Sequence, residues 1–463
     1  MEGVVVSGSQ ILIGLILGIV LLIFLMLRTK MHPFLALIIS ASITGLIGGM
    51  PADEVVNSIT KGFGNTLGSI GIIIGFGVMM GEIFEVSGAA KKMAQIFINK
   101  LGKGREELAL AITGFLVSIP IFCDSGFVIL SPLAKSISRS TGKSVISLGV
   151  SLAVGLVITH SLVPPTPGPV GVAGIFGASV GNVLLLGLVC SIPMTLAGLV
   201  YAKYIGNKIY RVPSEDGESY ITEPSKVKVN GGSVAILSEE NDDEELPSGW
   251  MSFAPIVVPI ILILLNTVIT QLNYESGVIE YIKFFGSPVI AVAIGLIIAI
   301  YGLGKKYERK EIINVMEKGI KSAGVIMLVT GAGGGLGMII RDSGAGEYIA
   351  NLIVQSPLPA IVVPFAIASI IRLIQGSGTV AMTTAASVTA PMIATLGISP
   401  ELAVLSCCIG SLVFSHFNDS YFWVVNRTLG VTEVNEQIRV YSIASTVVWA
   451  VGFVELIIIS MFI

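Results

Sequence analysis

Apolar and polar positions along the chain fall into long blocks rather than into strand-like alternation. Apolar runs of spanning length occupy about residues 10–28, 33–50, 66–86, 145–177, 181–203, 251–272, 284–303, 322–340, 400–430 and 438–462. A helix needs about 20 mostly apolar residues to cross a bilayer. The pattern therefore predicts an all-α polytopic membrane protein with about ten transmembrane helices. Two further stretches, 106–139 and 357–396, are apolar but interrupted near their middles by polar residues and glycine. They are expected to be re-entrant hairpins, each entering and leaving on one side.

The run 145–177 carries an insert from Thr159 to Pro169 that includes His160, Thr166, Gly168 and four prolines. Neither flank reaches spanning length alone. Each proline removes a backbone donor and clashes with the preceding turn, so the insert predicts a broken helix near the midplane. Unpaired backbone at that depth is tolerated only where protein or a wet cavity satisfies it, and such breaks hold substrate in secondary transporters. A plain loop between two short helices is the simpler alternative.

The one long hydrophilic segment, Tyr204 to Ser248, reads as a flexible linker between a first repeat, 1–203, and a second, 249–463. Gly68, Gly75, Gly77, Gly81, Ser87, Gly88 and Ala89 recur 256 residues later as Gly324, Gly331, Gly333, Gly337, Ser343, Gly344 and Ala345. His160 and His416 share that offset, and Ser125-Gly126 with Val128 matches Ser377-Gly378 with Val380. The run 331–337, GAGGGLG, lacks nucleotide-loop spacing and follows no strand, so helix packing is its expected use.

Charge then sets orientation. If 106–139 is re-entrant, every lysine and arginine from Arg28 to Arg211 except Lys61 falls on one face. The positive-inside rule makes that face cytoplasmic, placing the linker inside and both termini outside. In the second half Lys305, Lys306, Arg309, Lys310, Lys318, Lys321, Arg427 and Arg439 land inside, whereas Lys283, Arg341 and Arg372 do not. An odd number of spans per half with internal similarity predicts an inverted-topology repeat, as in alternating-access carriers.

Composition agrees: 53% of residues are hydrophobic and 12% charged, with mean hydropathy +0.89, against about 25% charged in soluble domains. The opening residues lack a basic n-region, so no cleavable signal peptide is expected. The net charge of −3 says little, and Cys123, Cys190, Cys407 and Cys408 lie in apolar segments without metal spacing. No cofactor, metal or nucleic-acid partner is expected.

Four polar clusters sit inside apolar segments. Hairpin one carries Asp124, Ser125 and Gly126, and a carboxylate at membrane depth is functional by default. The broken helix supplies His160, Thr166 and Gly168. Hairpin two supplies Gln375, Ser377, Gly378 and Thr379, followed by Thr383 and Thr384. The last cluster runs from Ser415 to Ser420 and includes His416, Asn418 and Asp419. Hydroxyls, amides, glycine N–H groups and half-helix N-termini together suit a small hydroxylated anion. Asp124, His160, His416 and Asp419 could take protons, although the two histidines could also serve as helix-packing donors.

At these motifs the chain resembles the gluconate permease (GntP) family of the ion transporter superfamily over essentially its whole length. The resemblance is carried by His32-Pro33-Phe34 with Gly49-Met50-Pro51, by Glu82 with Ser87-Gly88, and by Gly126-Phe127-Val128 with Pro132. It continues through Thr159-His160 with Pro164 to Pro169, Gln375 to Ala381 with Thr383-Thr384-Ala385, and Ser415 to Asp419 with Phe422-Trp423. It implies proton-coupled uptake of gluconate and related sugar acids, or of D-serine in some members. It also implies a homodimer in the cell membrane, with a transport domain sliding as an elevator. Where gluconate members read Phe-Glu-Val-Gly-Phe, this chain has Cys123 to Phe127, with a shorter acid and an added hydroxyl. Asp124 is the first candidate for proton coupling, then His160 or His416. Sodium coupling and an anion channel remain alternatives. An intramembrane enzyme is disfavoured, because neither H-E-x-x-H, G-x-S-x-G nor paired catalytic carboxylates occur.

Overall fold

The computed structural model describes residues 8–29, 31–101, 104–214, 219–223, 246–271, 277–345, 359–416 and 419–462. The first half runs α1 (Gly8–Leu27), α2 (Pro33–Ile47), α3 (Ala52–Val86), α4 (Ala89–Leu101), α5 (Glu106–Val117), α6 (Cys123–Thr141), α7 (Val145–Leu162), α8 (Pro167–Phe176) and α9 (Val180–Lys208). The second runs α10 (Gly249–Gln271), α11 (Gly277–Phe285), α12 (Pro288–Ile298), α13 (Arg309–Asp342), α14 (Val362–Gln375), α15 (Gly378–Thr389), α16 (Pro400–Gly410), α17 (Ser420–Thr428), α18 (Val434–Gln437) and α19 (Ile443–Ile459). A π-turn, Ile438–Ser442, joins α18 to α19.

Six helices among the described residues are long and apolar enough to cross a membrane, or seven if α3, bent by 48° at residues 68–71, is counted. The expected ten spans are matched in part. Gln10–Leu22, Pro33–Ile47, Val362–Leu373 and Pro400–Gly410 are apolar but shorter.

Each interruption anticipated in the sequence is a helix break, and local chemistry explains its position. In the first broken helix, α7 continues through His160 and ends at Leu162. Val163 is extended, as expected for a residue preceding proline, and the Thr166 hydroxyl donates to the Val163 carbonyl at 2.5 Å. Helix α8 restarts with Pro167 in its first turn, where the absent N–H removes no helical bond. The unwound stretch is therefore residues 163–166, shorter than the insert from Thr159 to Pro169. Hairpin one breaks between α5 and α6, with Phe122 extended at the N-cap of α6. Hairpin two breaks at Gly376, whose φ of +88° ends α14 in a left-handed turn. Ser377 then caps α15 by accepting the Val380 N–H at 3.4 Å. In the last cluster Asp419 caps α17, with its Oδ1 accepting the Tyr421 N–H at 3.1 Å.

The hydrophilic segment begins later than expected. Helix α9 runs on to Lys208, and a short antiparallel ladder pairs β1 (Val212–Pro213) with β2 (Tyr220–Ile221). Arg211 anchors this stretch to the second half through Glu436 Oε2 at 2.5 Å and the Gly430 carbonyl. Of the expected flexible linker, residues 215–218 and 224–245 lie outside the described residues.

Three packing centres result among the described residues, the smallest formed by Ile73, Ile74 and Val78 of α3 with Val170, Val292 and Ala323. Another joins α1 and α2 to parts of α3 and α13, and the largest gathers α5 to α9 with α16, α17 and α19. Helix α7 lies inside the latter, with every residue buried except the partly buried His160. A helix apolar all round is stable only in such a setting. Helices α3 and α13 pack antiparallel: Ser58 Oγ donates to Asp342 Oδ2 at 2.5 Å, while Lys318 Nζ meets Glu82 Oε2 at 2.8 Å near the other end.

Candidate functional site

The helix breaks converge. Phe122, Cys123 and Asp124 at the start of α6, Gly376 to Val380 at the start of α15, and Asp419 to Tyr421 at the start of α17 line one cavity of about 420 Å³. Val157, His160 and Ser161 of α7, Val325 and Val329 of α13, Arg372 of α14, and Ser411 and Leu412 complete its wall. Three helix N-termini thus meet at one void, and each offers N–H groups and the positive end of its dipole. The start of α8 lies alongside: Thr166, Pro165 and Pro167 line a small neighbouring void with His160, Phe122, Pro120 and Gly77.

The electrostatic centre of the cavity is a residue that the sequence reading left out of the site. Arg372 is 7% exposed and places its Nη2 2.5 Å from Asp419 Oδ2. The Ser415 hydroxyl donates to the same oxygen, and the Ser415 N–H is held by Ser445 Oγ at 3.0 Å. Along the sequence Arg372 stands only as a basic residue on the sparse face. Its apolar surroundings between residues 357 and 396 were the available signal, because an arginine at membrane depth requires a partner and a role.

Three polar atoms of the cavity wall lack a hydrogen-bond partner among the described residues: Asp124 Oδ1, His160 Nδ1 and Arg372 Nε. Unpaired buried polar groups are costly, so a cavity lined by them is suited to a polar guest. The His160 ring lies 5.6 Å from that of Phe122, which ties α7 to the tip of hairpin one.

The expected site residues divide into two groups. Asp124, His160, Ser377, Gly378, Thr379 and Asp419 line the cavity. The other described ones do not. Ser125 and Gly126 lie on α6 outside it, and a Cβ on Gly126 would come 2.7 Å from Leu156 Cδ2, which makes that glycine a helix-packing residue. Thr166 lines the smaller void. Gly168 packs on α15, where a Cβ would lie 2.8 Å from Met382 Sδ. The His416 ring nitrogen Nε2 lies 2.9 Å from the Leu373 carbonyl, a tie between segments rather than a cavity contact. Asn418 and the Gln375 side chain lie outside the described parts. Among the described residues no cluster of three or more His, Cys, Asp or Glu could hold a metal ion.

The profile of the GntP family permease matches residues 10–462. A permease of Haemophilus influenzae is 47% identical over 96% of this chain and 91% of its own length. The high-affinity gluconate transporter of Escherichia coli K12 is 34% identical over 96% of this chain and 98% of its own. Among solved structures, the YdaH transporter of Alcanivorax borkumensis superposes with a TM-score of 0.66 over 93% of this chain and 98% of its own, at 16% identity. That likeness is one of fold: an all-helical, multi-span membrane architecture. By the full-length family match and these relatives, the chain belongs to the GntP family of permeases and is a transporter, not an enzyme.

Proposed function

We propose that this permease is a secondary carrier that imports a small hydroxycarboxylate, a gluconate-like sugar acid, by proton symport across the cell membrane. The observation that carries the reading is the buried Arg372–Asp419 pair at the wall of a cavity where three helix N-termini meet. A guanidinium offers a planar fork that matches a carboxylate. Helix N–H groups favour the same negative charge. Asp124 Oδ1, the Ser377 and Thr379 hydroxyls and His160 Nδ1 suit the hydroxyl groups of a polyol chain. The name of the Escherichia coli relative supports the same substrate class.

The transport cycle we favour is alternating access between inverted halves, with ten spans, two re-entrant hairpins and a sliding transport domain in a homodimer. Antiparallel packing of the 35-residue α3 and 34-residue α13 supports this arrangement, as does the recurrence of a broken hairpin and a broken helix in each half. Both termini would lie outside and the segment between the halves in the cytoplasm. The test is uptake into proteoliposomes under an imposed pH gradient, using radiolabelled gluconate, other sugar acids, shorter hydroxy acids and D-serine. Saturable, gradient-driven accumulation of a sugar acid is expected. Accumulation driven by sodium alone would reject proton symport, and flux without accumulation would indicate a channel.

A further inference from the structure

We infer that Asp419, acting through the guanidinium of Arg372, is the group that makes anion binding and proton binding a single event. This deepens the import reading and rests on it. Arg372 and Asp419 have side chains 8% and 7% exposed, and Nη2 and Oδ2 are 2.5 Å apart. Arg372 is the only lysine or arginine lining the cavity among the described residues. An incoming carboxylate must therefore share its cation with Asp419.

Charge counting then restricts what can cross. In the empty site Arg372 is balanced by ionised Asp419. In the loaded site it is balanced by the substrate carboxylate, with the proton on Asp419. Both states are neutral at the pair. The two mixed states are not: an anion without the proton leaves one surplus negative charge, and a proton without the anion leaves Arg372 unbalanced. An uncompensated charge in a water-poor interior is strongly disfavoured, so only the matched states translocate. One proton enters from outside per carboxylate and is released inside when the anion leaves and Arg372 recaptures Asp419. Arg372 Nε, which lacks a partner, gives the guanidinium a further donor for the incoming anion.

The other titratable groups around the pair are Asp124 and Cys123 of α6, His160 of α7, Tyr421 of α17 and Tyr441 of the π-turn. A charge on Asp124 that is the same in both states leaves the count unchanged. Asp124 is the acid that the sequence alone selects for coupling, yet among the described residues it makes no ion pair that an anion must displace.

The test uses the full-length protein with gluconate as first probe, replaced by whichever panel member the wild type accumulates best. Asp419→Asn retains a side chain able to cap α17. We expect it to lose uphill accumulation but to exchange internal for external substrate, at rates that differ little between about pH 6 and about pH 8. In weakly buffered detergent solution, wild-type protein takes up one proton per anion bound, and Asp419→Asn takes up none. Asp124→Asn binds more weakly but still takes up one proton per anion. Retained uphill accumulation in Asp419→Asn, or loss of exchange in a variant that is folded, overturns the inference. If Asp419→Asn does not fold, Asp124→Asn decides: loss of its proton uptake overturns the assignment. Failure of wild-type protein to accumulate any panel member would instead overturn the import reading itself.

Discussion

Gly62 of α3 and Gly334 of α13 face each other with no room for a side chain. A Cβ on Gly62 would lie 2.4 Å from the Gly334 carbonyl oxygen, and one on Gly334 would lie 2.7 Å from that of Gly62. Without a hydrophobic force between helices in lipid, such close backbone approach is what holds a crossing together. Gly334→Val should push the two helices apart and cost about 1–3 kcal/mol, the usual penalty of overpacking. Thermal unfolding in detergent checks this, and an unchanged midpoint would reject the close crossing.

Gly378 presents the opposite case. A Cβ there would meet Ser411 O at 3.8 Å and Ser411 Oγ at 3.9 Å, ordinary contacts. At the cavity wall this glycine leaves open space. Gly378→Ala should fold normally, whereas Gly378→Val should lower uptake at least about tenfold, equivalent to about 1.4 kcal/mol, with thermal stability near wild type. Normal uptake by Gly378→Val would remove this wall from the site.

At Arg372 charge and geometry can be separated. Arg372→Lys keeps the cation but loses the planar fork, so the KM for a carboxylate substrate should rise about tenfold or more. Arg372→Ala leaves Asp419 buried without its counter-ion, a change that costs about 3–5 kcal/mol. Uptake should vanish and the unfolding midpoint should fall. Arg372→Lys with an unaltered KM would show that the guanidinium does not hold the anion.

Orientation is open to direct labelling. All four native cysteines are buried, so introduced cysteines report with little background. Labels at Ser238 should react only from the cytoplasmic side and labels at Glu280 only from outside. Reaction of both from one side would contradict the inverted halves.

The helix breaks were legible because proline and glycine act locally: Pro164 and Pro165 stop α7, and Gly376 stops α14, wherever they occur. Asp124 and Asp419 stood out as acids in apolar runs. Arg372 did not, because a rule that counts basic residues by face treats an arginine on the sparse face as an exception. Its role comes from Asp419, 47 residues further along the chain, a contact that periodicity does not encode. The paired glycines of the two hairpins differ for the same reason. Gly126 and Gly378 follow matching serines, yet one packs on Leu156 and the other opens to the cavity, because tertiary neighbours determine what a missing side chain accomplishes. His416, expected in the substrate site, places a ring nitrogen 2.9 Å from the Leu373 carbonyl, a contact that only the folded chain reveals.

The clasp around Arg211 bears on how the gene can be divided. Arg211 reaches Glu436 and the Gly430 carbonyl, and the Tyr220 hydroxyl lies 3.5 Å from the Thr428 carbonyl. All of these ties precede residue 224, so the first half is fastened to the second before the chain reaches the stretch that joins them covalently. Two cistrons, one ending and the next beginning between residues 224 and 245, should therefore yield polypeptides that co-purify and transport together. Arg211→Ala should weaken that complementation far more than it weakens the intact chain.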